Sequence, residues 1–288
     1  MKSVETPSPA PSAHPAPPGS QQSMSPPPVE ENKAYAGSGR LKGKVALITG
    51  GDSGIGRSVA IQFAKEEADI CIVYHKDHAD ADKTIQRVEE FGRRAVRYQG
   101  DLSQPEFCQE VIQRTMNAFG RIDILVNNAG TQGAVTSVTE LDPVHVQQTF
   151  ATNIFGFFYL VKEAVPHLKP GSAIINTTSI QAYDPSPHLM DYAATKAAIL
   201  NFTRVLAKEL APKQIRVNAV APGPIWTPLV VSSMPPDELS KFGQKTLFKR
   251  PGQPAEVSPA YLFLANEADS SFITGQVIHV NGGQGMHS

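Results

Sequence analysis

The chain has 288 residues, 41% of them hydrophobic, and 26 Lys+Arg against 27 Asp+Glu leave a formal net charge of −1, enough for one large domain or two small ones. Scattered, balanced charge excludes the basic footprint of a nucleic-acid binder, and no apolar run approaches the ~18–20 residues of a membrane span. Cys71, inside the apolar "DICIVY", and Cys108 lie in no C-x-x-C pair, so buried thiols in a reducing, cytoplasmic setting are expected rather than a disulfide framework.

Residues 1–40 differ in composition from the rest. "TPSPAPSAHPAPPGSQQSMSPPPVEEN" holds nine of the 24 prolines, with too few apolar residues to offset the ordering entropy of the backbone. A disordered, partly polyproline tail is the reading. No apolar stretch follows Lys2, so a secretory leader is not expected. "PAPP", Pro15 to Pro18, has the P-x-x-P spacing of docking segments, with nothing further to raise it above a flexible tail.

From Leu41 onward strand and helix signals alternate. "KVALIT" is followed by a helical stretch from Gly56 to Glu67, then "DICIVY", a helix around Ala79 to Phe91, and "AVRYQ". A helix from Gln104 to Phe119 leads to "IDILVN", and a long helix from about Pro143 to Leu168 leads to "AIINTTS". The helix carrying "DYAATKAAILNF", then "IRVNAVA" and "QVIHVN", complete seven strands. The pattern predicts an α/β fold: a single doubly wound Rossmann-type domain over 41–288, with a seven-stranded parallel sheet flanked by helices.

The first strand-to-helix turn, "TGGDSGIG", places Gly50, Gly54 and Gly56 in a G-x-x-x-G-x-G spacing. Glycine permits the tight turn and lets backbone N–H groups approach a pyrophosphate at the positive end of a helix. The second strand ends "IVYHKD". The position where an acid would bind the ribose diol of NAD is Tyr74, followed by His75, Lys76 and then Asp77. The missing acid and the nearby cation tilt the reading toward NADP(H). Arg57 could serve the same phosphate or simply sit in the first helical turn. His75, Asp77, His78, Asp80 and Asp82 crowd this stretch, but only His78 and Asp82 stand four apart. A solvated helix start explains them, and no metal is expected.

In "DYAATK", Tyr192 and Lys196 are four residues apart and therefore share a helix face. Together with "TGGDSGIG", "GDL" at Gly100 to Leu102, "NNAG" at Asn127 to Gly130, Asn153, "TTS" ending at Ser179 and "APGPIWT", they stand in the order and spacing of the short-chain dehydrogenase/reductase family. The chain resembles that family from Lys42 to Gly283. The polar extension, "GGDSGIG", "PGPIWTPL" and "RPGQPAE" are most similar to a bacterial and plant subgroup resembling glucose and ribitol dehydrogenases.

The resemblance implies an NAD(P)-dependent alcohol dehydrogenase or carbonyl reductase. Tyr192 would be the acid–base. A phenol with a pKa near ~10 is a poor base at neutral pH, and the Lys196 ammonium would lower that value while binding the nicotinamide ribose. Ser179 would hold the substrate oxygen and Asn153 would anchor a water leading to Lys196. The dinucleotide would meet Gly50, Asp52, Ser53, Gly54, Ile55 and Gly56 at the pyrophosphate and Tyr74, His75 and Lys76 at the adenosine ribose. It would meet Asp101 and Leu102 beside the adenine, then Asn128, Ala129 and Gly130, and Pro222, Gly223, Ile225 and Thr227 at the nicotinamide. Substrate contacts would come from Ser179, Gln181, Tyr192 and Trp226, in the two segments 180–191 and 226–249 that flank the site. A homotetramer through the two long helices is also implied.

The alternatives are a catalytically silent dinucleotide sensor or partner-docking protein, and a nucleotide-sugar epimerase or dehydratase. The latter needs a larger C-terminal substrate domain than this length allows, and an enoyl reductase would depart from the serine and Y-x-x-x-K arrangement.

Overall fold

The computed structural model describes residues 19–286. The P-x-x-P stretch lies outside the described residues. Strands β1 (Val45–Thr49), β2 (Asp69–Tyr74), β3 (Ala95–Gln99), β4 (Ile124–Asn127), β5 (Ala173–Thr177), β6 (Arg216–Pro222) and β7 (Val277–Val280) form one sheet in the order β3-β2-β1-β4-β5-β6-β7. Every pairing is parallel, so each connection must cross a face of the sheet. The sheet is therefore covered on both sides, and its inner strands β1, β4, β5 and β6 are buried along their whole length, largely apolar but with buried Asn127, Asn176 and Asn218.

The covering helices are α1 (Gly54–Lys65), α2 (His78–Glu90), α3 (Pro105–Phe119), α4 (Pro143–Phe150), α5 (Gly156–Ala164), α6 (Met190–Leu210) and α9 (Pro254–Ala265). The short helices α7 (Pro228–Ser233), α8 (Pro236–Leu239) and α10 (Glu267–Ser270) fill the loops before β7. Alternation along β1 sorts the core. Leu47 packs with Val111, Phe157 and Ile199 from α3, α5 and α6. Ala46 and Ile48 pack on the other face with Phe63 and Tyr261 from α1 and α9.

The helix expected from Pro143 to Leu168 is interrupted. A π turn, Ala151–Phe155, separates α4 from α5, with the Gly156 N–H reaching the Ala151 carbonyl. A Cβ on Gly156 would lie 2.9 Å from the Leu102 carbonyl. The glycine thus permits α5 to touch the turn after β3.

The expectation of a disordered tail through residue 40 does not describe residues 19–40. They run along the domain as a strap whose contacts are largely hydrogen bonds. The buried Glu66 carboxylate receives the Tyr35 hydroxyl, the Ser38 and Arg40 N–H groups and the Arg40 guanidinium. Glu31 pairs with Lys65 at 2.7 Å and with Arg87 at 2.5 Å. Composition misreads such a segment because polar side chains and backbone, rather than apolar area, attach it.

Candidate active site

The chain runs outward from β1 to β2 and β3, then returns to β4 on the other side of β1. This reversal opens a crevice at the carboxyl ends of β1 and β4, the place where doubly wound sheets bind ligands. Gly50 leaves β1 at φ +61°. A Cβ on Gly56 would stand 2.0 Å from the Gly50 carbonyl, so the turn closes only around glycine. Asn128 Nδ2 donates to the Thr49 and Gly50 carbonyls at 3.0 and 3.3 Å, and Thr49 Oγ1 accepts from the Asn128 and Ala129 N–H groups. The loops after β1 and β4 are thus locked across the crevice. At the start of α1 the Ile55 and Gly56 N–H groups have no protein acceptor among the described residues. Orphan donors at the positive end of a helix, in a cradle that a side chain would fill, fit a dinucleotide pyrophosphate.

Asp52 sits in the same loop. Burial pushes its carboxyl up to about 6, its own backbone N–H opposes this, nearby Asp80 adds to it and Arg57 opposes. Arg57 is committed behind the loop. It donates to the Asp52 carbonyl at 2.9 Å, pairs with Asp80 at 2.8 Å and with Glu30 at 3.1 Å. It is therefore not free to meet a ribose phosphate. His75 and Lys76, after β2, are exposed, while the Tyr74 hydroxyl bonds His78 Nδ1 at 2.8 Å. Asp77 caps α2 through the Asp80 N–H and Asp82 pairs with Arg97 at 2.6 Å. Among the described residues no group of three or more His, Cys, Asp or Glu could hold a metal ion.

After β5, Ser179 and the first turns of α6 bring three polar side chains into one buried place. The buried Tyr192 phenol lies beside the Ser179 side chain, whose Oγ accepts the Gln181 N–H at 3.2 Å. Lys196 Nζ lies 5.4 Å from the Tyr192 ring centroid and donates to the Thr177 carbonyl at 2.8 Å. Thr178 Oγ1 donates to the Lys196 carbonyl at 2.7 Å, pinning α6 to the end of β5. Burial pushes the Tyr192 phenol up to about 12, opposed by the neighbouring Ser179 hydroxyl. Burial also pushes the Lys196 ammonium down to about 7. Desolvation, rather than the expected lowering of the phenol by the ammonium, sets the direction for both groups and favours their neutral forms.

Asn153 lies in the π turn. Its Oδ1 accepts the Thr131 N–H at 2.7 Å, and its Nδ2 donates to the Thr131 carbonyl at 2.8 Å and to Thr195 Oγ1 at 3.1 Å. The amide is fully used in tying the segment after "NNAG" to the turn and to α6. A Cβ on Gly130 would meet Asn153 Oδ1 at 3.4 Å and Lys196 Nζ at 3.6 Å, so Gly130, Asn153 and Lys196 line one space.

The remaining expected residues fall around the same edge. Asp101 caps the turn after β3 by accepting the Ser103 N–H at 2.9 Å, and Leu102 is buried there. Gly223 follows β6, its N–H on the Val280 carbonyl, and Ile225 bridges to Gly252. Thr227 faces the glycine loop, 3.1 Å from where a Gly54 Cβ would be. Ser53 and Pro222 lie at the same ends of the sheet, in the glycine loop and at the end of β6.

Two substrate expectations meet other partners. Gln181 Oε1 is taken by the Ser186 N–H at 2.6 Å. Trp226 is buried with Met24, Val231 and Leu239, and its indole N–H donates to the Pro26 carbonyl at 2.9 Å. A contact that motif reading misses is Gln132, whose Nε2 donates to Ser233 Oγ on α7 at 2.7 Å and so joins the loop after β4 to the segment after β6. No spacing rule marks it, because the two residues are 101 positions apart.

Residues 50–285 match the family model described as Enoyl-(Acyl carrier protein) reductase. The chain is 47% identical over 274 residues to the NADPH-dependent aldehyde reductase 1, chloroplastic, of Arabidopsis thaliana, covering 93% of this chain and 95% of that protein. It is 45% identical over 272 residues to the glucose and ribitol dehydrogenase of Daucus carota, covering 92% and 93%. Among solved structures, a short chain dehydrogenase from Burkholderia cenocepacia J2315 in complex with NADP superposes with a TM-score of 0.80 at 31% identity, covering 86% of this chain and all of that one. With the sheet order, the glycine cradle and these likenesses together, the chain belongs to the short-chain dehydrogenase/reductase family of oxidoreductases.

Proposed function

We propose that the protein interconverts a carbonyl and an alcohol on a small aldehyde, ketone, sugar or polyol, using NAD(P) and Tyr192 as the acid–base. The observation that carries this reading is the buried Tyr192 with the Lys196 ammonium 5.4 Å from its ring and Ser179 beside it, at the sheet edge that also carries the glycine cradle. A dinucleotide held on the glycine loop by the Ile55 and Gly56 N–H groups would supply or accept the hydride.

The chain's own groups handle the oxygen and its proton. In reduction, Ser179 and Tyr192 donate hydrogen bonds to the carbonyl oxygen and stabilise the charge that develops there. A phenol held up to about 12 is protonated at neutral pH and ready to donate. Lys196, held down to about 7, can exchange a proton near neutral pH and resupply Tyr192. The π turn around Asn153 frees backbone groups from regular helical pairing, and a water on them would lead the proton outward. In oxidation the same path runs in reverse.

NADP(H) is the favoured dinucleotide in this reading, on exposed Lys76 and on the Arabidopsis relative named for NADPH. Assembly is proposed as a homotetramer through α5 and α6, where Phe158 and Val205 are about half exposed, as is Phe155 at the end of the π turn before α5. A reducing, cytoplasmic location is supported by two buried free cysteines.

The test follows nicotinamide absorbance with NADPH and NADH against a panel of aldehydes and polyols. Turnover by the native chain that is lost in Tyr192→Phe, with dinucleotide binding kept, supports the reading. Tight binding without turnover across the panel would favour a sensor instead.

A further inference from the structure

Residues 20–29 of the strap reach the glycine loop from behind. Ser20 Oγ and the Gln21 N–H both donate to Asp80 Oδ2, at 3.1 and 2.7 Å. The Gln21 side chain is buried, and its Oε1 accepts the Gly54 N–H at 2.7 Å. Its Nε2 donates to Glu30, which pairs in turn with Arg57, the residue holding the Asp52 carbonyl. The strap therefore grips the loop at two points, Gly54 directly and Asp52 through Arg57.

Further along, Pro26 accepts the Trp226 indole N–H, and Met24 packs on Trp226, Val231 and Leu239. Val29 bonds the start of α9 in both directions, its N–H to Gln253 Oε1 at 2.8 Å and its carbonyl from the Ala255 N–H at 3.0 Å. One short segment thus ties the glycine loop to the segment that follows β6.

Helix starts need side-chain acceptors, and the residue at the N-cap usually provides one. Ser53 stands at the N-cap of α1 and makes no such bond. Gln21 supplies an acceptor from 33 residues upstream to the first N–H of the helix, Gly54, and leaves free the Ile55 and Gly56 N–H groups that an N-cap side chain would take. The chemistry of the substitute matters, because a capping carboxylate would repel an anionic ligand at the helix start. A neutral amide oxygen satisfies Gly54 and leaves the positive end of the helix to a phosphate. It also holds Gly54, at φ +51°, in a conformation that a free glycine would share with many others.

We infer that Gln21 is a positioning residue of the dinucleotide site: it takes the first N–H of α1, Gly54, and holds the glycine loop so that the Ile55 and Gly56 N–H groups are presented to the pyrophosphate. This rests on the dinucleotide reading above.

The test uses the full chain and NADPH, with dissociation constants read from protein fluorescence and thermal stability read in parallel. Gln21→Met keeps the volume and removes the acceptor. The expected result is a dissociation constant raised about five- to twentyfold, the worth of one lost positioning bond. A Gln21→Met chain that is less stable but binds NADPH as the native one does would reduce Gln21 to a structural contact and overturn the inference. Tighter binding would overturn it too, since Gln21 would then be a competitor for the site. Amide exchange on the native chain gives an answer even where the variant does not fold. NADPH is expected to protect residues 20–29 together with 54–57, and protection confined to 54–57 would overturn the inference. Failure of the native chain to bind NADPH or NADH at all would remove the underlying dinucleotide reading as well.

Discussion

The Lys196 ammonium lies 5.4 Å from the Tyr192 ring centroid and has the Thr177 carbonyl, 2.8 Å away, as its hydrogen-bond acceptor. No carboxylate pairs with it among the described residues. Burial without a pairing anion pushes Lys196 down to about 7, and burial pushes the neighbouring phenol up to about 12.

That relationship fixes a pH dependence. Below about pH 7 Lys196 is charged in both the folded and unfolded chain, and the folded state bears the whole cost of burying the charge. Between about 7 and the unfolded value of ~10.4 the unfolded chain binds more protons, so stability rises with pH, by at most ~1.4 kcal/mol per pH unit. Lys196→Met should be more stable than the native chain at pH 6, with the gap narrowing by pH 9. Urea unfolding at both values checks this, and a gap independent of pH contradicts it.

Removing the proton donor tests the chemistry. Tyr192→Phe keeps the ring and its packing, so turnover should fall at least ~100-fold while NADPH binding changes by less than about threefold. Comparable turnover in the two chains would mean that another group moves the proton.

Trp226 provides a contrast between packing and substrate contact. Its indole donates to Pro26 and lies against Met24 and Val231. Trp226→Phe should cost about 1–3 kcal/mol of stability and leave the KM for the carbonyl substrate within about threefold. A KM raised more than tenfold would return Trp226 to the substrate pocket.

Dinucleotide preference separates Lys76 from Arg57. The exposed Lys76 should discriminate, so Lys76→Ala is expected to weaken NADPH about tenfold and NADH little. Arg57→Met, which unlocks Asp52, should weaken both alike. Titrations with the two dinucleotides read both variants directly.

Phe158 stacks on Phe202 at 4.1 Å between centroids while remaining about half exposed. Phe158→Asp should shift the light-scattering mass toward a smaller assembly. A native chain that is already monomeric would remove the proposed tetramer.

The sheet and the glycine turn were legible in the sequence because their physics is local. Seven apolar runs separated by helical stretches allow few topologies once crossovers must be right-handed, and residues 49–56 carry the whole turn within eight positions. Tyr192 and Lys196 were legible for the same reason, since four residues on a helix place two side chains on one face. What only the tertiary structure decided involves partners distant in sequence. Burial sets the direction in which both site groups titrate, and burial is a property of the packed whole. Arg57 is withdrawn from any ribose phosphate by Asp80 and Glu30, and Trp226 is claimed by Pro26, 200 residues earlier. The strap was illegible because composition measures apolar area, whereas residues 19–40 are attached mainly by hydrogen bonds and ion pairs whose partners exist only once the domain has folded.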